Sequence, residues 1–242
     1  MTIGRDTTFT WLGHSAVEVR TPGGKVILFD PWMGNPNSPR PAETQQQLDL
    51  LLVTHGHFDH MTDAVPLASR LRPAWPCMHE MSLWLARRLP GGADQVIGMN
   101  KGGTVEAAGL KVTMTGADHS AGDWNPGGET TLYLGEPAGF VVELENGFRI
   151  FHAGDTQVTG DMALIRELFR PDLAMLPIGG HFTMDPVGAA LATELLGVQH
   201  VLPIHWGTFP VLTGTPQQLA DAIAARGGTA RVHAWNPGDT ID

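Results

Sequence analysis

The sequence predicts an α/β protein built from two mixed β-sheets, each covered by helices on one outer face. Three observations carry this. Strand patterns dominate the start of each half of the chain. Helix and strand patterns alternate to close each half. No stretch of the 242 residues reads as a linker, a fixed-period repeat or a low-complexity tract, so residues 1–242 are expected to form a single domain.

The elements follow in order. Phe9–Leu12, Ala16–Arg20 and Lys25–Phe29 read as strands, with Pro22-Gly23-Gly24 turning between the last two. Leu48–Val53 is a continuous apolar run, expected as a buried strand. Asp59–Leu71 reads as one helix closed by Pro73, and Glu80–Leu89 as a second stopped by Pro90-Gly91-Gly92. Val105–Thr115 reads as a hairpin turning at Ala108-Gly109. Residues 120–138, rich in Gly, Pro and Asn, are expected to be a long loop. Phe140–Glu145 and Phe148–Phe151 pair across Asn146-Gly147. Helices at Asp161–Phe169, Pro186–Leu196 and Pro216–Arg226 then alternate with strands at Leu173–Leu176, His200–Ile204 and Ala230–Ala234.

Composition narrows the function. The net charge of −10 argues against a partner held by its phosphates, so no nucleic acid is expected. The N-terminus lacks an apolar leader, and no run approaches the ~18 apolar residues of a membrane span. A soluble, cytoplasmic protein acting on a small molecule is therefore expected; self-association into a homo-oligomer is left open. The single cysteine, Cys77, excludes an internal disulfide and a cysteine-rich zinc module. It lacks an activating neighbour and reads as a small buried hydrophobe. Eleven histidines stand against one tyrosine, Tyr133. Imidazole is the commonest metal ligand and titrates near neutrality.

The central motif is His55-Gly56-His57-Phe58-Asp59-His60, at the end of an apolar strand and the start of a helix. Such a nitrogen and oxygen donor set suits zinc or a similar cation. His55 and His57 are two apart and share a side of extended chain, whereas Asp59 and His60 enter the helix. One short segment can thus serve two ions. Further donors sit where apolar strands give way to loops: Asp118-His119, Asp155 and His205. This reading assigns His55, His57 and His119 to one ion and Asp59, His60 and His205 to the other. Asp155, with two oxygens, lies between them. Asp118 is the alternative to His119.

At these residues the sequence resembles the metallo-β-lactamase superfamily, with HGHFDH as the first metal motif. The resemblance covers nearly the whole chain. Within the superfamily the sequence looks most like a group of metal-dependent hydrolases. The matching stretches are Trp11-Leu12-Gly13-His14-Ser15, Phe29-Asp30-Pro31, His152-Ala153-Gly154-Asp155-Thr156, residues 176–184 and Pro203-Ile204-His205. WLGHS and HWGTF are also similar to the N-acylphosphatidylethanolamine phospholipase D branch. The ascorbate-6-phosphate lactonases are more distant. The resemblance implies a four-layer αββα sandwich with the metal site at one edge. It implies two divalent ions, zinc first, with manganese, iron or nickel as alternatives. His57 stands where the redox di-iron relatives carry glutamate, which favours hydrolysis.

The expected function is a binuclear hydrolase in which water held between the ions attacks an ester-type bond: a phosphodiester, carboxylic ester or lactone. Asp59 would orient that water and take its proton. His181, between two glycines and Phe182, is the candidate proton donor. His14, Trp124, Phe182, Trp206 and Phe209 flank the donors and are candidate substrate contacts. His152 reads as support for the site rather than a ligand. His79, His200 and His233 read as ordinary structural histidines.

Overall fold

The computed structural model describes residues 3–4, 6–90, 94–124 and 131–242, excluding the side chains of Asp123 and Trp124. The first half carries β1 (Thr8–Trp11), β2 (Val17–Arg20), β3 (Val26–Phe29), β4 (Leu50–Leu52), α1 (Phe58–Met61), α2 (Ala64–Leu71), β5 (Trp75–Met78), α3 (His79–Leu85) and β6 (Val96–Met99). Then come β7 (Thr104–Ala107), β8 (Leu110–Gly116), β9 (Asp123–Trp124), β10 (Thr131–Leu132), β11 (Ala138–Glu143) and β12 (Arg149–His152). The chain closes with α4 (Asp161–Phe169), β13 (Leu173–Pro177), α5 (Pro186–Leu196), β14 (His200–Ile204), α6 (Pro216–Ala225), β15 (Arg231–Val232) and β16 (Thr240–Ile241).

One sheet has the order β16-β1-β2-β3-β4, antiparallel except for the β3–β4 pair. A bridge from Leu50 to Ala74 continues it to the parallel β5–β6 pair. The other sheet runs β15-β14-β13-β12-β11-β8-β7, parallel through β12 to β15 and antiparallel beyond. Both are mixed, as expected.

The layering follows from side-chain alternation. Along β12 to β14, Ile150, Leu173, Met175 and Leu202 join the core with Phe9, Val17, Ile27 and Phe29 of the first sheet. Phe151, Ala174, Leu176 and Val201 face the other way, against Ile165 of α4, Ala189 of α5 and Leu219 of α6. Strands covered on both faces read as continuous apolar runs, which is why this half was legible. Leu67 and Ala68 of α2 and Met81 and Leu85 of α3 complete the other outer layer. The result is the four-layer αββα sandwich.

Three expectations need correction. The helix expected over Asp59–Leu71 breaks at Thr62 and Asp63. Asp63 is drawn to the Pro31–Gly34 turn: its Oδ2 accepts from Met33 N (2.6 Å) and Gly34 N (3.2 Å), and its own N–H donates to Pro31 O. The second helix spans His79–Leu85, starting one residue earlier and ending four earlier than expected. β5 and β6 were not read from the sequence; each is four residues long, and Pro76 stands inside β5. The expected loop at 120–138 contains the short β9–β10 pair and the start of β11. Its residues 125–130 and the Trp124 side chain lie outside the described residues.

At one end of the sheets Trp235, Trp11 and Trp206 stack, with Trp11 centroids 5.6 Å and 5.2 Å from its neighbours. The outer two indole N–H groups both donate to Pro203 O, and Trp11 Nε1 donates to His14 O.

Candidate metal centre

The donors collect where strands end. His14 follows β1, Asp30 follows β3, His55 and His57 follow β4, His119 follows β8, Asp155 follows β12, and His205 follows β14. Asp59 and His60 sit on α1. His14, Asp30 and His205 hold left-handed backbone, with φ of 53°, 43° and 54°, as does His181 at 59°. For non-glycine residues such backbone costs energy that the surrounding packing must supply.

Two sets of donors close on themselves. His55, His57 and His119 bring ligand atoms within 4.8 Å of one another, and so do Asp59, His60 and His205 together with His14. Asp155 joins His55 and His60 in a third such set, which places it between the first two. Its Oδ2 lies 3.0 Å from His205 Nε2, 3.3 Å from His60 Nε2 and 3.6 Å from His119 Nε2. His119, rather than Asp118, reaches the cluster; Asp118 instead accepts from the Gln157 amide.

Hydrogen bonds at the rear of each ring fix which nitrogen faces inward. Asp30 Oδ2 lies 2.9 Å from His60 Nδ1 and also accepts the Thr54 hydroxyl (2.9 Å), which in turn lies 3.0 Å from His55 Nδ1. One buried carboxylate thereby fixes the Nδ1 edge of both rings and turns both Nε2 atoms toward the other donors. Asp30 had no role in the sequence reading. The only signal was its place in Phe29-Asp30-Pro31 beside the motif strand.

His14 is committed differently. Burial first, then the neighbouring His205, pushes its pKa down to about 4, so it is neutral. Its Nδ1 lies 3.0 Å from Thr208 Oγ1 and its Nε2 lies 3.0 Å from Asp59 Oδ2. A neutral ring satisfies both by accepting from the threonine and donating to the carboxylate. This leaves Asp59, His60 and His205 as the free donors of that set.

The electrostatics suit cations. Burial holds His55, His57 and His119 below the usual histidine range, so their rings are neutral at neutral pH. Burial opposes the charge of Asp155, yet His205 and His60 outweigh it and keep the carboxyl ionised. Asp59 is likewise held low against burial by His60 and His14. His60 is raised by Asp155, Asp30 and Asp59 despite its burial.

The donor set fits a pair of divalent ions. Asp155 Oδ1, His60 Nε2 and both ring nitrogens of His205 are buried without a hydrogen-bond partner. Unpaired buried polar atoms are costly, and His60 Nε2 and His205 Nε2 lie 3.3 Å and 3.0 Å from Asp155 Oδ2. Nitrogen and carboxylate donors of this kind are those zinc and similar first-row ions take.

The other expected site residues are placed as follows. His181 is exposed and makes no hydrogen bond or ion pair among the described residues; its ring edge rests on Phe182 at 4.4 Å. Its loop is anchored beside the donors, because Met184 N donates to Thr156 O and Gly179 abuts His205. A Cβ on Gly179 would lie 2.2 Å from His205 O, so only glycine fits. Phe182 is 54% exposed. Phe209 packs 5.7 Å from the His14 ring. Trp206 is half-buried and stacks on Trp11 within the tryptophan stack. His152 stacks on Phe29 and accepts from Gly154 N, so it supports the β12 end. Cys77 is buried, and burial pushes its thiol up.

Comparison with known proteins agrees with the fold and with metal-dependent chemistry. A family model for the beta-lactamase superfamily domain matches residues 25–206. The chain belongs to the beta-lactamase superfamily and is a metal-dependent hydrolase. Within that class it is 45% identical to a UPF0173 metal-dependent hydrolase of Roseiflexus castenholzii over 99% of both chains. It is 46% identical to another from Koribacter versatilis over 96% of each. Among solved structures it resembles Igni18, a metallo hydrolase of Ignicoccus hospitalis. The TM-score is 0.84 at 35% identity, covering 97% of both chains.

Proposed function

We propose that the protein is a binuclear hydrolase that cleaves an ester-type bond in a small molecule, the bond being a phosphodiester, carboxylic ester or lactone. The observation that carries this is the pair of donor sets joined by Asp155. His55, His57 and His119 would hold one ion, and Asp59, His60 and His205 the other. When bound, the ions supply Lewis acidity, which acidifies water and polarises the scissile group.

The chain's residues do the rest. His14 donates to Asp59 Oδ2 and fixes that carboxylate, leaving Oδ1 to accept a hydrogen bond from the attacking water. Asp59, held ionised against its burial by His60 and His14, would orient the water and take its proton. His181, on an exposed loop whose Gly179 abuts His205, would protonate the leaving group. Zinc is the first candidate ion; manganese, iron and nickel accept the same donors.

The test is metal content by mass spectrometry of purified protein, followed by turnover of an ester, lactone and phosphodiester panel. Two ions per chain and hydrolysis of at least one class are expected. Protein that takes up no metal after supplementation with Zn²⁺ or Mn²⁺ would refute the reading.

A further inference from the structure

Beside the donor cluster stands an aromatic corner that the mechanism does not use. Trp32 meets Phe58 edge-on at 5.5 Å and Phe209 nearly parallel at 5.8 Å. Trp32 and Phe209 both lean on the His14 ring, at 5.2 Å and 5.7 Å. Phe58 sits between His57 and Asp59 in the motif, yet 53% of it is exposed. An exposed phenylalanine between two donor residues adds nothing to the core. It offers a dry surface within one residue of the reacting carboxylate. The platform is also rigid. Asn35 Nδ2 donates to Trp32 O and Leu12 O, and Asp63 Oδ2 holds the next two backbone N–H groups. The Trp32 indole N–H makes no hydrogen bond among the described residues.

We propose that Trp32, Phe58 and Phe209 form a subsite for a flat apolar group, an aryl ring above all, carried by the ester that the adjoining site cleaves. This rests on the hydrolase reading of the adjoining site and names its substrate class.

The test compares zinc-loaded protein on 2-phenylethyl acetate and on ethyl acetate. Both release a simple alkoxide from the same acyl group, so their kcat/KM ratio reports the ring. Ethyl 3-phenylpropanoate against ethyl propanoate places the ring in the acyl half. One ring-bearing ester is expected to be favoured by roughly 20-fold. That ratio should fall at least fivefold in Phe58→Ala and Trp32→Ala and recover in Trp32→Phe. Leu168→Ala, an exposed apolar change on α4, should leave it alone. Independently, saturation-transfer NMR should show 2-phenylethanol bound by the wild type and released by Phe58→Ala. Ratios near one for both pairs, or ratios that ignore both alanine variants, overturn the subsite. If no ester is cleaved while 2-phenylethanol still binds through Phe58, the ester reading fails and the subsite stands.

Discussion

Asp30 Oδ2 sits 2.9 Å behind His60 Nδ1, and through Thr54 the same carboxylate reaches His55. One side chain from the first sheet therefore orients a histidine of each donor set. Asp30→Ala should lower metal affinity by about 10- to 100-fold, read by competition with a chelating dye. It should also cost about 3 kcal/mol in chemical denaturation, because His60 and Thr54 lose a buried partner. Unchanged affinity would show that the rings are oriented by other means.

Chelation should abolish hydrolysis and lower the Tm, and added zinc should restore both. A ligand present at a hundred times its Kd adds about 2.7 kcal/mol of stability, enough to see in a thermal melt. His57→Ala and Asp155→Ala should each remove activity and reduce the ions counted per chain. Full activity in either variant would dismiss the proposed ligand sets.

Asp59→Asn should cut kcat about 10²- to 10⁴-fold, since the amide orients water poorly and takes no proton. His181→Ala should act on the other side of the reaction. Its kcat should fall for esters with alkoxide leaving groups and hold for 4-nitrophenyl esters, which need no proton donor. Equal loss on both would assign His181 to loop structure.

Far from the donors, His200 Nδ1 and His233 Nε2 meet at 3.0 Å. Burial first, then Arg231 and His200, lower the His233 pKa from 6.5 to about 4. The unfolded chain thus takes up a proton near pH 6.5 that the folded chain resists until about pH 4. Stability should be full above pH 7 and decline as pH falls from 6.5 toward 4, by on the order of 1–3 kcal/mol. His233→Gln should flatten that part of the curve in urea melts; an identical slope would locate the titration elsewhere.

Most of the donor set was legible because ligand chemistry is local. HGHFDH packs four donors into six residues, and His119, Asp155 and His205 each follow an apolar run. Strand ends that share one edge must converge. The sheets were legible where strands are buried on both faces. What escaped notice depends on contacts distant in sequence. Asp30 acts on a residue thirty positions away, Asp63 breaks a helix to bind the Pro31–Gly34 turn, and Trp11 joins Trp206 and Trp235 in one stack. Phe58 was hidden inside its own motif, since no pattern states which way a ring turns. Two-residue β16 is too short for any periodicity to mark it.

The three stacked indoles have an optical consequence. Rings held 5.2 Å and 5.6 Å apart share their electronic transitions, so the stack should give a coupled signal in near-ultraviolet circular dichroism. Trp235 lies near the end of the described chain, Trp11 near its start, and Trp206 next to His205. The protein thus carries a built-in spectroscopic gauge of the seam where its two ends meet, readable without a label, a substrate or an ion.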